Sequence, residues 1–145
     1  MRDTCFLALT LSVLLLARTS TAGDAKPEEM SKDLLGTWTV VEGEINGKKL
    51  PGAAGTMRLI FTKDKVIWQF DTSDGEKAFD GTYKADPKKS PKEIDLSQPV
   101  NAKKVALGIY KIEGDRLTIC MGAQRPKNFE DMVLSRLIFT RKKSK

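Results

Sequence analysis

The strongest fold signal in this 145-residue chain is Leu35-Gly36-Thr37-Trp38-Thr39-Val40-Val41. Gly36 allows the backbone to bend sharply into a strand, because glycine tolerates backbone angles that other residues avoid. The β-branched residues that follow favour an extended conformation, and Trp38 provides a large apolar plate. We therefore predict the first strand of a β-barrel here, with Gly36 and Trp38 in structural roles at its floor.

Residues 1–22 have the organisation of a signal peptide. One Arg lies in the first four residues, an almost unbroken apolar segment covers residues 5–17, and small residues precede a cleavage site after Ala22. The apolar segment is too short to span a bilayer; the alternative is a retained N-terminal anchor. We expect an exported chain that begins near Gly23, is secreted or periplasmic, and has no membrane span.

The remainder is predicted to be one all-β domain after a short leader. Residues 23–33 form a polar linker, and residues 27–35, which overlap its end, can make one or two helical turns. Residues 34–145 show about eight apolar-alternating segments separated by turn dipeptides such as Asn46-Gly47. Closing such a meander removes exposed strand edges. The prediction is an antiparallel up-and-down barrel of about eight strands with a basic C-terminal tail.

Alternating apolar residues define most of these strands. The first strand is expected over Thr37 to about Glu44 and the last over Val133 to Arg141. The apolar positions that alternate in the intervening strands are Met57, Leu59, Phe61; Val66, Trp68, Phe70; Phe79, Gly81, Tyr83; Ile94, Leu96; Val105, Leu107, Ile109; and Leu117, Ile119, Met121.

Several motifs together resemble those of a known family: Gly36-Thr37-Trp38, Asn46-Gly47-Lys48-Lys49-Leu50-Pro51, Gly81-Thr82-Tyr83-Lys84, Pro91-Lys92-Glu93-Ile94-Asp95-Leu96, Leu107-Gly108-Ile109-Tyr110, Gly114-Asp115-Arg116-Leu117-Thr118-Ile119-Cys120 and Arg125-Pro126. The family is an uncharacterised planctomycete-type group of bacterial secreted domains, itself similar to lipocalins within the calycin group. The resemblance implies a lipocalin-like barrel in which Arg141, or alternatively Arg136, stacks on Trp38 through a cation–π contact. The family has no established activity.

Catalytic arrangements are scarce in this sequence. It contains no histidine, which excludes Ser-His-Asp and Cys-His constellations and removes the commonest metal ligand. Residues 71–76 resemble the start of a calcium loop but lack the spacing to a bidentate glutamate, so a hairpin turn explains them better. Asp80 and Asp95 form either a carboxylate pair or two unrelated strand residues. We predict a protein that is not an enzyme and uses no cofactor or metal.

Charge and cysteine content indicate little about partners. The net charge is +6, but four positive charges lie in residues 141–145, so the body is close to neutral. Nucleic acid is not an expected partner, whereas the tail is either a solvated terminus or a contact for an acidic glycan. Removal of the signal peptide leaves only Cys120, so no intramolecular disulfide can form. We expect a monomer in which Cys120 is a packing residue rather than a reactive thiol.

Two interpretations of the barrel interior stay open. Aromatic and apolar side chains at Phe61, Trp68, Phe70, Tyr83 and Leu107 either line a ligand cavity or simply fill a small barrel. In the first case the protein binds a small, mostly apolar or amphipathic molecule, since no inward charge is evident. In the second it is a structural or interaction domain of the cell envelope that contacts a protein or glycan through its loops or tail.

Overall fold

The computed structural model describes residues 32–101, 103–131 and 135–141. A 3-10 helix, Lys32–Leu34, is followed by ten strands: β1 Gly36–Ile45, β2 Lys48–Lys49, β3 Met57–Phe61, β4 Val66–Thr72, β5 Gly75–Gly81, β6 Tyr83–Asp86, β7 Lys92–Ser97, β8 Val105–Glu113, β9 Arg116–Gly122 and β10 Ser135–Thr140. The predicted signal peptide, most of the linker, residues 133–134 of the predicted last strand and residues 142–145 of the tail lie outside the described ranges.

The strands form one antiparallel, barrel-like sheet in the order β5-β4-β3-β1-β10-β9-β8-β7-β6, with β2 attached to β1. The predicted all-β antiparallel class is therefore confirmed. The strands β5 and β6 stand at opposite ends of this order, yet only Thr82 separates them in the chain. There the Ser97 amide donates to the Thr82 carbonyl at 3.0 Å, and the Thr82 amide donates to Ser97 Oγ at 2.8 Å. These two bonds tie the β5–β6 junction to β7.

Turn residues explain how neighbouring strands connect. Asn46 and Gly47 have φ angles of 51° and 74°, the left-handed pair that a tight hairpin turn between β1 and β2 requires. Gly36 begins β1 with a φ of 117°, so its glycine identity serves the predicted bend. The faint calcium-loop pattern of residues 71–76 is the hairpin between β4 and β5, where Thr72 Oγ1 donates to the Gly75 carbonyl at 2.6 Å.

The core lies on the inner face of the sheet and follows the predicted alternation in β3, β4 and β9. Its buried members come from nearly every strand and include Leu34 of the short helix. They are Leu34, Trp38, Val40, Leu59, Phe61, Val66, Trp68, Tyr83, Ile94, Leu96, Tyr110, Leu117, Ile119, Met121, Leu137 and Phe139.

Strand β8 differs from the prediction. Ala106, Tyr110 and Ile112 pack in the core, so alternation places Leu107 and Ile109 on the outer face. Ile109 is nevertheless buried, because residues 123–131 cover this part of the outer face. Arg125 fastens that loop: its Nη1 donates to the Gly108 carbonyl at 2.7 Å and its Nη2 pairs with Asp95 at 2.7 Å. Leu107 therefore does not line the interior.

Candidate ligand site at the Trp68 end

The two tryptophans mark opposite ends of β10. Trp38 contacts Arg141, which follows the last residue of β10, whereas Trp68 borders a cavity together with Ser135, the first residue of β10. We call these regions the Trp38 end and the Trp68 end. Their different packing decides where a ligand can enter.

The Trp38 end is closed by side chains. Trp38 is fully buried, and its Nε1 donates to the Leu34 carbonyl at 2.8 Å. The guanidinium carbon of Arg141 lies 4.7 Å from the Trp38 ring centroid, and Arg141 Nη1 donates to the Asp33 carbonyl at 3.1 Å. The predicted stacking of Arg141 is confirmed. The alternative, Arg136, instead forms an ion pair with Glu44 on the outer face.

Phe61 and Tyr83 pack against each other in the core. Their ring centroids are 5.0 Å apart in an edge-to-face arrangement, and the Tyr83 hydroxyl donates to the Thr62 carbonyl at 2.7 Å. Burial, followed by the charges of Asp64 and Tyr110, raises the pKa of Tyr83. Both side chains therefore fill the barrel-like sheet, and neither borders the cavity at the Trp68 end.

A cavity of about 270 Å³ opens at the Trp68 end. Trp68 is only 6% exposed, and its Nε1 donates to the Ser97 carbonyl at 3.1 Å, which fixes the orientation of the ring. The walls are mostly apolar, with Gln98 and Ser135 as the polar side chains; the remaining lining residues are Trp68, Pro99, Val100, Ala106 and Met121. The site can therefore hold a small molecule against a rigid aromatic wall.

Aromatic rings continue from the cavity towards the tip of the β4–β5 hairpin. Phe70 stacks on Trp68 with centroids 6.4 Å apart, and Phe79 meets Phe70 edge-on at 6.0 Å. Phe79 is 37% exposed. Of the five predicted ligand residues, Trp68 thus borders the cavity, Phe70 adjoins it, Phe61 and Tyr83 lie in the core, and Leu107 is on the outer face.

Sequence reasoning missed Ala106, Met121 and the loop residues that form the other walls. Ala106 carries the useful signal, because a small residue at an inward position leaves space that a larger side chain would fill. The loop between β7 and β8 has no such signal: Pro99 and Val100 meet the cavity only through the tertiary fold.

A larger groove, of about 650 Å³, lies on the outer face. Its floor comes from β1, β8, β9 and β10, and its walls from residues 49–54 and 129–130. Arg116 lies 3.6 Å from Glu42, and Lys111 lies 3.4 Å from Glu113 and 5.1 Å from the Phe129 ring centroid. The groove is thus lined by charges of both signs that already interact with one another.

The candidate reactive groups do not form a catalytic arrangement. Asp80 pairs with Lys65 at 2.5 Å on β5, and Asp95 pairs with Arg125 on β7, so the two aspartates belong to separate ion pairs. Cys120 is buried beneath residues 123–131, with its Sγ 3.9 Å from the Phe129 carbonyl. Burial raises the pKa of the Cys120 thiol to about 11, although Arg136 and Lys111 oppose the shift. A thiol with that pKa is a poor nucleophile at neutral pH.

The described ranges contain neither a helix that could span a membrane nor a cluster of potential metal ligands. No helix there is long and apolar enough to cross a bilayer. Nor do residues 32–101, 103–131 and 135–141 group three or more potential metal ligands of the His, Cys, Asp and Glu types.

Compared with known proteins, this chain matches no family model, no curated protein and no solved structure.

Proposed function

We propose that this protein is an exported, non-catalytic binding module that holds a small apolar or amphipathic molecule at the Trp68 end. The observation that carries the proposal is the mostly apolar cavity of about 270 Å³ beside Trp68. The fixed indole ring forms one wall, and Gln98 and Ser135 offer hydrogen-bonding groups at the opening. Export is inferred from the signal-peptide pattern of residues 1–22.

The architecture we propose is a lipocalin-like barrel of eight strands. This count treats β5 and β6 as one strand bent at Thr82 and sets aside the two-residue β2. The bent strand pairs with β4 through its first half and with β7 through its second half, so every strand has two neighbours. The contact of Arg141 with Trp38 supports the resemblance to lipocalins and to the planctomycete-type secreted family.

Binding would be driven by removal of apolar surface from water. A molecule that buries about 200 Å² of apolar area gains about 5 kcal/mol at ~25 cal/mol per Å². Such a free energy corresponds to a dissociation constant of about 0.1–1 mM. The rigid Trp68 ring favours binding because less side-chain freedom is lost than at a flexible wall.

Fluorescence titration with 1-decanol tests the proposal. Decanol should change the emission of Trp68, and Ala106→Leu should abolish that change because the added side chain fills the cavity. Ala54→Leu is the matched control, since Ala54 lies on the outer-face groove and its replacement should leave binding intact. Equal decanol binding by Ala106→Leu and the unchanged protein would contradict a site in this cavity.

The outer-face groove favours a second candidate function, that of an interaction domain of the envelope. Its volume of about 650 Å³ exceeds that of the cavity, and its lining is rich in charge. An acidic glycan would be recognised there by Arg116 and Lys111, whose present partners Glu42 and Glu113 it would displace. Calorimetric titration with oligogalacturonate should show binding that Arg116→Gln weakens; absence of heat with the unchanged protein would remove this candidate.

A further inference from the structure

We infer that the molecule bound at the Trp68 end is an amphipathic anion whose acidic head group is held by Lys77 and Lys104. This inference rests on the proposed function, because it requires the apolar part of the same molecule to occupy the cavity. It adds a charge preference that the apolar walls alone do not provide. That preference follows from the division of charged residues between the two faces of the sheet.

Lys77 lies on the inner face of β5. It stands opposite Phe70 in the β4–β5 ladder, just as Phe79 stands opposite Trp68. Directly opposed residues in an antiparallel pair share a face, with Cβ atoms about 5 Å apart. Because Phe70 packs against the core and stacks on Trp68, Lys77 extends from the inner face beside the aromatic row.

Lys104 lies beside two residues that line the cavity. It precedes β8 by one residue, and its carbonyl accepts from the Gln98 amide at 2.9 Å. Gln98 borders the cavity, as does Ala106, two residues after Lys104. Alternation carried back from Ala106 therefore places Lys104 on the cavity side of the chain.

The carboxylates of this region lie on the other face. Asp71 and Glu76 each accept from Arg58 Nη2 at 2.7 Å on the outer face of β3, β4 and β5. Asp80 is likewise paired with Lys65. Every carboxylate within the described strands lies on the outer face of the sheet. These residues are Glu42, Glu44, Asp71, Glu76, Asp80, Asp86, Glu93, Asp95 and Glu113.

This segregation leaves the inner face at the Trp68 end positively charged. In the described part of the chain, neither Lys77 nor Lys104 forms an ion pair with a carboxylate, and no strand carboxylate faces inward to compete for them. Asp74 lies in the hairpin turn, beyond the strands. An anionic head group at the cavity opening would meet two ammonium groups, whereas a cationic one would be repelled.

The cavity limits the size of the apolar part. A water molecule occupies about 30 Å³ in the liquid, so 270 Å³ accommodates about nine groups of that size. A single alkyl chain of about eight to ten carbons therefore fits, with its head group at the opening. The shared chemistry of the ligand is one short alkyl chain and one acid group, either a carboxylate or a sulfate.

The test compares ligands with the same ten-carbon chain and different head groups. Binding of decanoate, decyl sulfate, 1-decanol and decyltrimethylammonium is followed by Trp68 emission at low ionic strength. Both anions should bind, and the cation should bind most weakly. Lys77→Gln and Lys104→Gln should each weaken the binding of decanoate about two- to five-fold, the range for exposed ion pairs. Neither substitution should change the binding of decanol.

The matched control is Lys84→Gln, which removes an outer-face charge from β6 and should not alter decanoate binding. Raising the salt concentration should weaken the binding of decanoate to the unchanged protein and should have little effect on its binding to the double variant Lys77→Gln/Lys104→Gln. If decanol binds but neither lysine variant affects decanoate, the head-group inference is wrong while the proposed function stands. If no ten-carbon ligand binds, both are wrong.

Discussion

The Trp38 end and the Trp68 end use the same residue type for different purposes. Both indole rings are buried, and both Nε1 atoms donate to a backbone carbonyl, at 2.8 Å to Leu34 and 3.1 Å to Ser97. Trp38 is then covered by Arg141 and by the Lys32–Leu34 helix, whereas Trp68 faces a cavity of about 270 Å³. One tryptophan therefore closes the barrel-like sheet, and the other forms the wall of an opening.

The largest expected effect of a single substitution is at Trp38. Trp38→Ala should lower the free energy of unfolding by about 3–5 kcal/mol, because it removes a fully buried aromatic ring and leaves a cavity beneath Arg141. Trp68→Ala should cost less, since its ring already borders open space. Urea denaturation of the two variants measures the difference. Equal losses would show that the two ends are packed alike.

The second prediction concerns the β5–β6 junction, which the hydrogen bonds between Thr82 and Ser97 join to β7. A Cβ atom on Gly81 would lie 2.3 Å from Ser97 Oγ, the atom that accepts from the Thr82 amide. Gly81→Ala should therefore destabilise by about 1–3 kcal/mol, as overpacked sites do. The measurement is again chemical denaturation.

The double variant Gly81→Ala/Ser97→Gly provides the control for this prediction. Removing the Ser97 hydroxymethyl group relieves the clash but also removes the bond to Thr82. The two changes should therefore cost less together than the sum of their separate losses. Strict additivity would mean that Gly81 is needed for a reason other than its contact with Ser97.

The sequence predicts the Trp38 end well because its signals are local or specific. Gly36 requires a positive φ, and Trp38 follows it within a strand. The contact of Arg141 with Trp38 is an expectation from the resemblance to lipocalins, with Arg136 as the alternative. The inward residues of β3, β4 and β9 are also predicted correctly, since polar residues separate most of their apolar ones. Where apolar residues occupy alternate positions of a strand, only one of its two faces can point to the core.

Strand β8 shows why the other end is harder to predict. Both of its faces are apolar: Ala106, Tyr110 and Ile112 face inward, while Leu107 and Ile109 face outward, the first half-buried and the second buried. Alternation cannot distinguish the faces when each is covered, and the larger Leu107 and Ile109 suggest the wrong one. The cavity itself depends on the small volume of Ala106, a signal that is useful only once its inward position is known, and on the path of residues 98–100, which no local pattern encodes.

The smallest expected effect concerns Cys120, which lies next to the cavity residue Met121 and is covered from outside by residues 123–131. Burial raises the pKa of its thiol from 9.0 to about 11. The folded state therefore favours the neutral thiol, and the resulting stability is fully present below pH 9 and is lost as pH rises through 11. At pH 10 the unchanged protein should have lost about 1 kcal/mol relative to Cys120→Ala.

Stability curves of the two proteins from pH 8 to pH 10.5 isolate this contribution, because every other titrating group is common to both. Thiol labelling with Ellman's reagent at pH 8 then links the result to the comparison of the two ends. Labelling of Cys120 should be slow, since burial keeps the thiolate about 100-fold scarcer than in the unfolded chain. Rapid labelling under conditions in which Trp38 stays buried would instead mean that residues 123–131 open locally over Cys120, without unfolding of the Trp38 end.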